Sequence, residues 1–206
     1  MYLHPRQLFA LTAIVAAMSV SPAIGQNAIG LDQRPAQVTR GEPGRPLFAM
    51  PGGVPSDITA GYLRSRGRSD AVLASLRTTR SGAGANGVTH LRLEQVVDGL
   101  AVHGAYVKAA VNARGELVQV IDRLAAVTAL TPNRVDALAA LQAAMAQVHP
   151  GQAATFRRTG AQGNVNTFDG GTFFHSAPTV TAVAIPMSDG TLARGDSLNR
   201  GFRAEP

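Results

Sequence analysis

Apolar and polar positions alternate most regularly over Thr89–Val97, where Leu91, Leu93 and Val97 share one side of an extended chain and His90, Arg92 and Glu94 the other. That period of two marks a half-buried strand. Asp98-Gly99 follows, a pair that accepts the two positive φ angles of a tight type I′ hairpin turn, and residues 100–111 make the return strand. The isolated Gly104, beside His103, predicts a bulge or a close backbone approach within that strand. A turn over 112–115 and a strand over 116–122, weighted by Leu117, Val118, Val120 and Ile121, complete a β-meander spanning residues 87–122.

Ahead of the meander the pattern changes several times. Residues 1–25 carry Arg6 near the start, an apolar run over 8–18 and the small-x-small sequence Ala23-Ile24-Gly25, which reads as a secretory signal peptide cleaved between Gly25 and Gln26. The run falls short of the ~20 residues that span a bilayer, so no membrane association is expected once it is removed. Residues 26–55 contain Pro35, Pro43, Pro46, Pro51 and Pro55 without an apolar period and read as a disordered linker. Ser56 is placed to cap a short helix reaching about Arg66, with Gly61 and Gly67 keeping it short and weak. Residues 70–80 fit either a helical turn or the lead-in to a strand over 75–80. The glycine-rich 81–87 then forms a long hairpin loop; it lacks the Lys-Ser/Thr of a phosphate loop.

Beyond the meander, Thr131-Pro132 supplies a cap and a first-turn proline for a helix carrying Val135, Leu138, Leu141, Met145 and Val148 on one stripe, ended by His149-Pro150-Gly151. Packing that stripe across the meander gives an α+β fold. Residues 152–171 are polar and loop-like. Phe173, Phe174, His175 and residues 179–185 supply strands, and Ser188-Asp189-Gly190 a hairpin turn. The second arm begins at Thr191-Leu192-Ala193 and then loses its alternation. Residues 196–206 are therefore expected to be a polar tail, and the 131–195 unit incomplete, as a frameshift or premature stop near Gly195 would leave it.

Composition narrows the chemistry. The chain carries a net charge of +6, and Lys108 is its one lysine. The densest basic stretch, Arg64, Arg66, Arg68, Arg77 and Arg80, has neither a nucleic-acid-binding module nor an interleaved aromatic platform, so a solvated face is expected and no nucleic acid. With no cysteine, thiol chemistry is excluded. A zinc peptidase needs the HExxH pair one helical turn apart. His4, His90, His103, His149 and His175 are too scattered to form it. No G-x-S-x-G elbow occurs and the acids are dispersed, so no catalytic residue, metal or cofactor is expected.

The order His90, Leu91, Gln95, Gly99, Val102, Gly104, an alternating strand and Asn112-Ala113-Arg114-Gly115 resembles the fungalysin/thermolysin propeptide (FTP) domain of secreted zinc metallopeptidases. The family's proline before the valine and aromatic after it are replaced here by Ala101 and His103. The resemblance implies an FTP-like meander with a short N-terminal helix over 56–130, followed by a PepSY-like (PepSY/cystatin-like) helix and strands over 131–195. It also implies a non-catalytic, secreted or periplasmic pro-region, truncated before its enzyme, that inhibits and chaperones a metallopeptidase catalytic domain. An exposed sheet edge could meet that partner through backbone hydrogen bonds. The alternative is a stand-alone protease-inhibitory or binding module acting in trans.

Overall fold

A computed structural model describes residues 35–84, 86–132, 136–148, 155–170 and 174–202. The expected signal peptide and its Gly25-Gln26 junction lie outside these residues, as do His149-Pro150-Gly151 and Phe173. From residue 35 the chain first forms β1 (Gln37–Arg40) and β2 (Phe48–Ala49). Next come α1 (Pro55–Ser65), α2 (Asp70–Ala74), β3 (Leu76–Ala83), β4 (Thr89–Val97), β5 (Leu100–Val111) and β6 (Glu116–Arg123). The second half holds β7 (Leu130–Thr131), α3 (Ala137–Val148), β8 (Arg158–Gln162), β9 (Val165–Phe168), β10 (Phe174–Pro186) and β11 (Leu192–Phe202).

The meander β4-β5-β6 is antiparallel, with β3 added outside β4 and β1 and β2 outside β6. Its alternation places Leu91, Leu93, Val107, Leu117 and Val120 on one face, where Ile58, Tyr62 and Leu63 of α1 close over them. The expected linker over 26–55 is corrected from residue 35 onward. This stretch is an ordered arm along the free edge of β6, in register from Gln37 opposite Asp122 to Arg40 opposite Gln119. It needs no apolar period, because backbone groups hold it: Gly41 N–H donates to Val118 O at 2.9 Å and Leu47 N–H to Leu117 O at 2.9 Å. Phe48 then packs against Gly61, where a β-carbon would lie 2.9 Å from its ring. The glycine expected to weaken the helix is thus what lets the arm approach it.

Helix α1 is not capped by Ser56. Val54 occupies the cap position with no side-chain bond, and Pro55 begins the helix, where its missing N–H costs nothing. Its end follows from Gly67, at φ +86°: Gly67 N–H reaches Arg64 O at 2.9 Å and Arg68 N–H reaches Leu63 O at 3.0 Å, a Schellman termination. The ambiguity over 70–80 resolves into both alternatives in turn, the short α2 capped by Ser69 and then β3. β3 itself absorbs Ser81, Gly82 and Ala83, so the loop before β4 is shorter than expected.

The second unit departs further from the sequence reading. Helix α3 starts after Asp136, whose Oδ1 accepts from Leu138 N–H at 2.8 Å and Ala139 N–H at 2.9 Å. Thr131, expected as the cap, lies in β7 beside β11. The stripe Ala137, Leu141 and Met145 does not cover the meander, whose inner face α1 already occupies; it packs with Phe156, just ahead of β8, with Phe168 of β9 and with Phe174 and Val180 of β10. Residues 158–168, read as loop, form the β8-β9 hairpin, whose outer strand is wholly exposed and so carries no apolar signal. The arm expected to fail at Gly195 continues: β11 pairs with β10 from Leu192 opposite Pro186 to Phe202 opposite Phe174. Asp196 and Ser197 face Ala182 and Thr181 in that ladder. Backbone pairing to a long partner sustains the strand without side-chain alternation, so the polar tail expected from residue 196 is corrected as far as Phe202.

A third apolar cluster joins the units: Val97, Leu100, Val102 and Ala105 meet Ala125, Ala184 and Leu192. There β10 runs parallel to β5, with Ala184 opposite Val102.

Candidate functional site

The residues singled out in the sequence converge on the meander and its joint with the second unit. Gln95 is fully buried on β4, on the apolar side. Its Oε1 accepts from Ala125 N–H at 2.7 Å, and its Nε2 donates to Ala125 O at 3.1 Å and to Ser75 Oγ at 3.2 Å. Ser75 Oγ in turn donates to Val72 O at 2.6 Å. A buried amide must satisfy its donor and acceptor, and Gln95 does so by gripping both polar groups of the residue where the chain leaves β6 for the second unit.

The glycines have separate duties. Asp98 and Gly99 lie at φ +49° and +76°, and Val97 faces Leu100, so the turn is the two-residue hairpin that the DG pair predicts. Asn164 Nδ2, from the β8-β9 turn, donates to Gly99 O at 2.9 Å and ties the hairpin tip to the second unit. Gly104, at φ +68°, sits where β5 changes its outer neighbour from β10 to β6. Opposite it the ladder is irregular, Glu94 facing Tyr106 but Val96 facing Ala101. A β-carbon there would come within 3.1 Å of Arg123 Nη1. At Gly115, φ +75°, a β-carbon would lie 2.5 Å from Met50 O, on the arm that Gly115 O itself holds by accepting from Met50 N–H. Leu91 and Val102 are buried, in the meander core and in the joint respectively. Sequence reasoning missed Arg68, which binds Asp122 at 2.8 Å beside the joint while Asp122 Oδ1 accepts from Leu124 N–H at 2.9 Å.

The meander's other face is not covered by α1. Cross-strand partners share a face, so the registers place Arg80, Arg92, Lys108, Ile121 and Val38 in one row across five strands. A second row includes His90, Ala110, Gln119 and Arg40, and a third Glu94, Tyr106 and Arg123. Tyr106 holds the middle of this face: Arg92 lies 4.9 Å from its ring centroid and Lys108 5.5 Å. Arg92 Nε also donates to Glu94 at 2.8 Å.

His90 and His103 are both exposed. His90 stands opposite Ala110 at the far end of β5 from His103, a separation of roughly 20 Å at strand rise. Among the described residues no three His, Cys, Asp or Glu side chains come together as metal ligands do. The turn after β5 is held by Glu116: bonds from Arg114 and Asn112 keep its carboxyl below the ordinary value, and its bond to Arg114 raises that guanidinium. Asp189 is held low by Thr191 in the last hairpin.

The meander is antiparallel and backed by a helix, and the motif side chains described above close turns and clamp backbone. Residues 74–124, from the end of α2 to Leu124, match the family described as the Fungalysin/Thermolysin Propeptide Motif. It takes up about a quarter of the chain. By its description that motif is one of propeptides. No curated protein matches the chain. No helix among the described residues is long and apolar enough to cross a membrane.

Proposed function

We propose that this chain is a non-catalytic propeptide-type module that binds the catalytic domain of a fungalysin- or thermolysin-like zinc metallopeptidase, slows it and assists its folding. The match of residues 74–124 to the propeptide motif carries the reading. Residues 1–25 serve as its export signal, cleaved between Gly25 and Gln26, so the module works outside the cytoplasm. The second unit is read as PepSY-like, with α3 laid on β10 and β11 as the counterpart of α1 on the meander. That each unit has its own helix and core, and that the two are joined by a third apolar cluster, supports action in trans as well as in cis.

The test is inhibition of casein turnover by a thermolysin-like and a fungalysin-like peptidase, with the full chain added in excess. Slowing that is weakened by Gly99→Val, but unchanged by substitutions in the arm at Pro43 or Pro46, supports the reading. No slowing of either enzyme, or loss only with the arm substitutions, overturns it. The chain alone should turn over no casein with or without added zinc.

A further inference from the structure

We propose that the open face of the meander is a docking surface for an acidic polypeptide. The chain's net charge is +6, and the three outward rows concentrate it: Arg40, Arg80, Arg92, Lys108 and Arg123 stand against one carboxylate, Glu94. Basic residues on an edge strand guard it against unwanted pairing. That does not account for Arg92 and Lys108, which lie on β4 and β5 with strands on both sides. These two are also pre-ordered, flanking the Tyr106 ring at 4.9 and 5.5 Å, so less side-chain freedom is lost when they engage a carboxylate. Neighbouring strands are about 4.8 Å apart, so the Arg80–Arg92–Lys108 row spans roughly 10 Å and matches several carboxylates of an acidic segment or surface. Val38, 55% exposed, ends the row and offers an apolar contact.

The same face fits other polyanions less well. Single-stranded nucleic acid needs free aromatic faces on which bases stack, and Tyr106, the aromatic of these rows, is already engaged by Arg92 and Lys108. A bilayer needs a large apolar face to sink into the interface, and here Val38 and Ile121 are set in a row with Arg80, Arg92 and Lys108. The proposal holds whether or not the partner is a peptidase.

The isotope-labelled full chain is titrated with octaglutamate, and amide chemical shifts are followed. Shifts confined to β3–β6 and β1 are expected, with affinity falling steeply as salt shortens the screening length. The Arg80→Glu/Lys108→Glu pair should weaken binding at least about tenfold, and Arg157→Glu, a cation on the other unit, should not. Melting curves verify that the variants fold; if the reversal lowers the melting temperature, the Arg80→Gln/Lys108→Gln pair is used. Absence of binding, shifts centred elsewhere, or an unchanged affinity of the folded variant overturns the proposal. So does tighter binding of a thymidine oligonucleotide or of phosphatidylglycerol vesicles than of octaglutamate at equal charge.

Discussion

Replacing Gln95 by leucine isolates the clamp between the FTP motif and the segment that follows it. The substitution keeps the volume and adds apolar atoms, but it strands the N–H and C=O of Ala125, which is 4% exposed and whose N–H and C=O are both bonded to the Gln95 amide. A buried backbone group left unpaired costs about 1–3 kcal/mol, so the two together cost about 2–6 kcal/mol. Leucine's extra apolar burial returns about 1–2 kcal/mol. Taking both terms near their centres leaves a net loss of about 2.5 kcal/mol, a drop of roughly 5–10 °C in melting temperature for a domain of this size. Urea melts of wild type and variant give the free energy, and hydrogen exchange gives its location: protection at the Ala125 amide should collapse while the Val107 amide, in the meander core, loses only what global stability loses. A free-energy change under about 0.5 kcal/mol, or an Ala125 amide that keeps its excess protection, would refute the assignment of Gln95 as the clamp.

Gly99→Val should cost about 1–2 kcal/mol, because a β-branched residue is forced to positive φ; a neutral urea melt would show that the turn tolerates another geometry. Gly115→Ala should cost about 2 kcal/mol or more, since its β-carbon would add a 2.5 Å approach to Met50 O to the strain at φ +75°, and limited proteolysis should then cut within residues 37–50. Arg68→Ala removes a pair whose side chains are only 28% and 13% exposed and should cost about 1–2 kcal/mol in the same melt. Glu116, held below its ordinary pKa chiefly by Arg114, adds stability that is present above the unfolded value and disappears as pH falls through the folded one. Glu116→Gln should therefore flatten the acid limb of a pH–stability curve and leave its neutral and alkaline parts unchanged in shape.

What the sequence disclosed followed from how each element is stabilised. The meander was legible because its two faces have different neighbours, core and solvent, and alternation records that difference. The DG turn was legible because few residues accept its backbone angles. The arm, the exposed strand β8 and the end of β11 were not, since backbone pairing holds them and leaves no pattern in side chains. The partner of α3 was also hidden: an apolar stripe announces that a helix is covered but not by which sheet, and the arrival of α1 over the meander decided it. Among the motif positions, Gly104 was visible only as a bulge or close approach and Gly115 only as part of a turn; the groups that approach them, Arg123 and the Met50 carbonyl, come from elsewhere in the chain.

The arm on β6 also sets the order of assembly. Gln37 must find Asp122 across the intervening helices and four strands, and pairing over so long a separation is slow because the closure entropy falls due before most contacts reward it. As the chain emerges from its N-terminus, the arm appears well before the edge it pairs with. Until Glu116–Arg123 exists, residues 37–50 have no edge to join, and the Phe48 ring has no Gly61 groove fixed against a finished sheet. Docking of the arm is therefore expected late in the assembly of the meander, at a rate that responds to the stiffness of the proline-containing connection at Pro43 and Pro46.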